Sequence, residues 1–127
     1  MAAPARSMLI KVSRILFPLA LAVSLYEATN RSTGILPFSY GDKILHLLAF
    51  FTLAILDDFA FPGRGFGLRK MLPLVFYGIL IEVIQLFLPY RSCDITDFLA
   101  DCGGLALYYL LIPVLKKIPL LRERWSN

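Results

Sequence analysis

Charge is what this chain has little of. Only 17% of its 127 residues are Asp, Glu, Lys or Arg, while 58% are hydrophobic and mean hydropathy is +0.71. Soluble domains carry about 25% charged residues, so the composition points to lipid as the solvent. Cysteine is scarce as well. Cys93 and Cys102 are the two in the chain, and on a common helix they would lie roughly 13 Å apart along its axis. That is beyond disulfide reach, so free thiols are expected. No CxxC or other metal-ligand spacing occurs, and no metal or cofactor is expected. There is no GxSxG elbow, no phosphatase arginine set and no zinc triad. No repeat, low-complexity tract or second hydrophobic unit appears, which leaves a single domain over residues 1–127. The net charge of +4 is dispersed and has no reading element, so nucleic acid is excluded as a partner.

What is present is four apolar runs, at about residues 8–28, 43–61, 71–88 and 94–115. They predict an all-α integral membrane four-helix bundle, since an apolar helix of this length approaches the ~30 Å hydrocarbon thickness. The first run follows basic residues and could pass for a cleaved signal. Its loss would leave an odd number of spans, so it is read as a retained helix. Pro18 lies inside that run, where a membrane helix tolerates it. Pro73 is expected to open the third helix, and Pro89 to close it.

Basic residues favour the cytoplasmic side. Arg6, Lys11 and Arg14 precede the first run, Arg64, Arg69 and Lys70 lie between the second and third, and Lys116, Lys117, Arg122 and Arg124 follow the fourth. The remaining gaps hold only Arg31, Lys43 and Arg91. This alternation predicts both termini inside. Asp57 and Asp58 then fall at the cytoplasmic end, where pairing with Arg64, Arg69 or Lys70, or snorkelling, is expected.

The same topology gathers three polar groups at the opposite, outer end. Asp42-Lys43-x-x-His46 opens the second helix, Glu82-x-x-Gln85 closes the third, and Arg91 precedes Asp94, Asp97 and Asp101 on the fourth. Spacings of three and four place the aspartates on one helical face. Glu82 and Asp101 would sit about 9 Å below the hydrocarbon boundary, too deep for short carboxylates to snorkel, so they should face the bundle interior. Five acids against Lys43, Arg91 and His46 leave the cluster negative. Proton sharing on Glu82 or Asp101 is expected to balance it, with a divalent cation as the other route.

These residues resemble the VanZ-like family of small polytopic bacterial membrane proteins. The matching motifs are Asp42-Lys43-x-x-His46-x-x-x-Phe50, Glu82-x-x-Gln85 with Pro89 and Arg91 after it, and Asp97-x-x-x-Asp101-x-x-Gly104. The family usually has Asn where this chain has Asp101. The resemblance implies a multi-pass protein of the bacterial cytoplasmic membrane, and the founding member is associated with reduced susceptibility to a teicoplanin-type glycopeptide.

Three functions are compatible with the pattern. In the first, Lys43, His46, Glu82, Gln85, Arg91, Asp97 and Asp101 bind a membrane lipid head group or a lipid-linked cell-wall precursor, with effects on glycopeptide susceptibility. In the second, His46 with Glu82 or Asp97 is the acid/base centre of an enzyme acting on a lipid or polyprenyl head group. In the third, the cluster is a hydrogen-bonded lock without a ligand. Nothing in the pattern specifies an oligomer.

Overall fold

The computed structural model describes residues 2–30, 41–90 and 94–125, the side chains of Ala2, Ala3 and Asp42 excepted. Four helices follow one another: α1 (Ala2–Thr29), α2 (Gly41–Ala60), α3 (Leu68–Leu86) and α4 (Ile95–Leu115). A 3₁₀ turn, Leu121–Trp125, follows α4. Among the described residues there is no strand.

The helix ends show what local chemistry dictates. Asp94 sits in extended backbone before α4, and its side chain accepts from the Thr96 backbone N–H at 2.9 Å. This satisfies one of the donors that a helix start leaves orphaned. The α3 start differs from expectation. Pro73 does not open it; the helix begins at Leu68 behind Gly67, and Pro73 lies inside. A proline there forfeits one backbone bond, and the first turn is instead held by Lys70, whose ammonium is tied down across the bundle. At the other end α3 stops at Leu86 rather than 88, two residues before the Leu88-Pro89 pair.

α2 is the central element and packs chiefly against α4 and α1. Gly104 permits the α2–α4 approach, since a Cβ there would run into the Leu47 carbonyl and lie 2.8 Å from the Phe51 nitrogen. Phe50, Leu53, Ala54, Leu74, Ile81, Leu105 and Tyr108 form the buried core. Rings interlock within it, with Phe66 edge-on to Tyr108 at 4.9 Å between centroids.

The outer faces are apolar. Ile15, Leu19, Phe76, Leu86, Leu99 and Leu110 are all more than half exposed, while Asp58, Glu82, Gln85, Asp97 and Asp101 are buried. Two helices, over Pro4–Thr29 and Ile95–Leu115, are long and apolar enough to cross a membrane. α2 and α3 carry more charged residues relative to their length.

Candidate functional site

The cluster is built by the helix ends that meet at one end of the bundle. α2 begins there, α3 finishes there and α4 begins there. Lys43, in the first turn of α2, reaches Asp94 Oδ2 at 3.2 Å and Asp97 Oδ1 at 3.4 Å. One turn deeper, His46 Nδ1 lies 2.7 Å from Asp101 Oδ1, and its Nε2 lies 3.8 Å from Asp97 Oδ2. With the Asp101 carboxylate ionised, Nδ1 carries the proton and donates. From α3, Glu82 Oε2 accepts the Asp94 backbone N–H at 3.1 Å. Gln85 Nε2 donates to the Ala28 carbonyl at 2.9 Å, which ties α3 to the end of α1.

Burial grades through this set. Lys43 and Asp94 form a half-exposed rim; Asp97, Glu82, Gln85 and Asp101 form a buried floor, and His46 lies between them. At the rim, its hydrogen bonds to Thr96 and then the Lys43 ammonium hold the Asp94 carboxyl down at about 2, against an ordinary 3.8. Asp94 therefore stays ionised and keeps Lys43 pinned. His46, Glu82 and Asp101 each place a ligand-capable atom within 4.8 Å of the others, which brings together the three polar groups that the topology predicts at one end of the bundle. Of the residues singled out from sequence, Lys43, His46, Glu82, Asp97 and Asp101 meet directly. Gln85 joins them on the α3 face. Arg91 lies outside the described residues, as does the Asp42 side chain.

A second polar cluster sits at the opposite end, where Asp58 takes Lys70, one of the three cations expected for it, as a partner. Asp58 neither snorkels nor stays at the surface; it is fully buried. Its carboxylate accepts from Lys70 Nζ at 2.8 Å, from an Arg124 amino group at 2.7 Å and from the Tyr108 hydroxyl at 2.6 Å. Lys70 and Arg124 also donate to backbone carbonyls of the α2–α3 connection. Asp57 makes no such ion pair among the described residues and lines a cleft of about 520 Å³ with Arg14, Phe61, Arg64 and Arg69. Arg124 was not foreseen, because 66 residues separate it from Asp58 and it reads as one more basic residue of the tail. Tyr108 shares the α4 face of Asp97 and Asp101, but its partner is Asp58 rather than the His46 group.

A family model described as VanZ/LLP1 matches residues 6–116. The match takes in most of α1, which lies ahead of the motifs between Asp42 and Gly104. An uncharacterized protein of the yeast Schizosaccharomyces pombe is 34% identical over 79 residues, covering 60% of this chain and 49% of that protein. The chain thus spans about half the length of that curated relative. No solved structure matches.

Proposed function

The chain belongs to the VanZ/LLP1 family, and from that premise we propose that it is a four-span membrane protein whose recessed polar pocket binds a lipid head group. The inside-out distribution of its side chains supports the membrane reading. Large apolar residues face outward on every helix, an exposed apolar surface far beyond what a monomer carries in water. Asp58, Lys70 and Glu82 are buried and bonded within the bundle, and Lys43 is paired at its rim, so these charges of α2 and α3 do not meet lipid. Both termini face the cytoplasm in this reading, because the basic residues cluster at that end.

The observation that carries the ligand reading is the polar cluster of Lys43, Asp94, Asp97, His46, Glu82 and Asp101, graded from half-exposed to buried. Lys43 is a point charge at the rim, held by two aspartates yet a third exposed. A head-group phosphate or carboxylate would take up that ammonium, and the buried acceptors would receive hydroxyl or amine donors of the same group. Arg91, three residues ahead of Asp94, would add a second cation. A yeast relative favours a phospholipid-type head group over a ligand confined to bacterial walls. Changed glycopeptide susceptibility in a bacterial host would follow from head-group or precursor binding on the outer face.

The test is lipid retention in nanodiscs read by native mass spectrometry. Lys43→Ala and Asp97→Asn should each weaken retention about tenfold, the size of one charge-assisted contact. Retention equal to the parent in both variants would sink the proposal.

A second reading is favoured by one contact. His46 lies against Asp101 and beside Asp97, the geometry of a base oriented by a carboxylate. Turnover of a labelled head group by the purified protein, lost in His46→Ala, would make the pocket an active site.

A further inference from the structure

We propose that His46, Glu82 and Asp101 form a binding site for a divalent transition-metal cation of the Zn²⁺ type. The three come from different helices, and each presents a ligand atom within 4.8 Å of the other two. Two ligands on opposite sides of an ion at ~2.1 Å would stand ~4.2 Å apart, so small side-chain rotations close the set.

Independent support comes from acceptors that the protein leaves over. Asp101 gives Oδ1 to His46, while its Oδ2 is buried with no hydrogen-bond partner among the described residues. Gln85, one turn beyond Glu82, is anchored through its amide nitrogen, and its Oε1 is buried in the same condition. The donors nearby are already committed. Lys43 serves Asp94 and Asp97, and His46 serves Asp101. Buried oxygens of this kind call for a cation or a proton. Asp101 Oδ2 lies close against Gly78 of α3, where a Cβ would come to 3.0 Å from it.

The donor set chooses the ion. An imidazole with two carboxylates suits zinc or a neighbouring transition ion, whereas Ca²⁺ needs six to eight oxygens and Mg²⁺ keeps most of its water. Asp97 at 3.8 Å from His46 Nε2 can steady the ring from outside the ligand set. Three protein ligands leave a coordination position open to water or to an oxygen of a bound molecule. The site does not depend on the lipid reading and stands or falls by metal uptake alone.

The experiment uses the full chain in detergent, stripped with a chelator, then titrated with Zn²⁺ by calorimetry and with Co²⁺ by visible absorption. Wild type should take up one equivalent of Zn²⁺, and Co²⁺ should show the intense d–d bands of low coordination. Glu82→Gln and Asp101→Asn should each weaken Zn²⁺ binding at least tenfold, while Asp57→Asn, at the other end of α2, should not. Wild type taking up no Zn²⁺ would overturn the proposal, as would uptake unchanged in both variants. So would a protonated-carboxyl infrared band at neutral pH in protein that binds no metal, because a proton would then be the balancing cation. If the variants fail to fold, wild type decides: saturable one-to-one uptake with low-coordination Co²⁺ bands supports the site, and the lack of either refutes it.

Discussion

At the residue scale, two aspartates with the same side chain have opposite fates. Asp58 is wholly buried between Lys70, Arg124 and Tyr108, and every one of those contacts is at hydrogen-bond length. Asp58→Asn would leave two buried cations facing a neutral amide. Breaking such a pair costs about 3–5 kcal/mol, so a large fall in the denaturation midpoint in detergent is expected. Asp94 is a rim residue, and its loss should show only in pH dependence. Its folded pKa of about 2 lies below the ordinary 3.8. The stability it contributes is therefore complete above pH ~4 and disappears as pH falls through ~2. Asp94→Asn keeps an N-cap acceptor and removes only the charge. Its melting temperature should lie below the parent's at pH 6 and converge with it near pH 2. A gap that persists at pH 2 would show that the cap geometry, and not the charge, was lost.

At the scale of elements, the helices follow from apolar runs, and their placement follows from contacts that no run encodes. The adjacent glycines of α4 separate the two. A Cβ at Gly103 would only touch Leu47 Cδ1 at 3.7 Å, whereas one at Gly104 would press on the α2 backbone. Gly104→Ala should destabilise by about 1–3 kcal/mol, the cost of overpacking a tight contact. Gly103→Ala should be neutral or gain up to ~1 kcal/mol from helix propensity. Thermal melts of the two variants side by side check both statements, and equal effects would refute the close-approach role of Gly104. The early start of α3 is of the same kind. Pro73 reads as a helix opener in isolation, but Lys70 is drawn onto Asp58 and onto the Phe61 and Arg64 carbonyls, and the helix begins at Leu68, three residues ahead of the expected start at about 71.

At the scale of the whole molecule, the proposal of four spans with both termini inside makes a labelling prediction. In a background without Cys93 and Cys102, a cysteine at Gly65, between α2 and α3, should react only from the cytoplasmic side. One at Pro89, between α3 and α4, should react only from the other face. Impermeant maleimide labelling of cells and of inverted vesicles measures both. Labelling of the two positions from one side would remove the transmembrane arrangement of α3 altogether.

The four helices were legible in the sequence, because apolar runs of this length read as helices rather than as short strands. The candidate site was also partly legible: charged residues stand out in an apolar run, and helical spacing places them on common faces. Lys43, His46, Glu82, Asp97 and Asp101 were found in this way. The Asp58 cluster was not, since Arg124 carries no mark that distinguishes it from the other basic residues of the tail.

The chain by itself determined the number and class of its elements, the apolar exterior and the list of ionisable groups needing partners, because hydropathy and helical periodicity are local properties. Only the tertiary structure decided which partners those groups take. It sent Arg124 back to Asp58, set His46 against Asp101 rather than Asp97, and left buried oxygens on Asp101 and Gln85 for something else to satisfy. Pairings of that kind rest on distances of a few ångströms between segments far apart in sequence, and such distances exist only once the helices have packed.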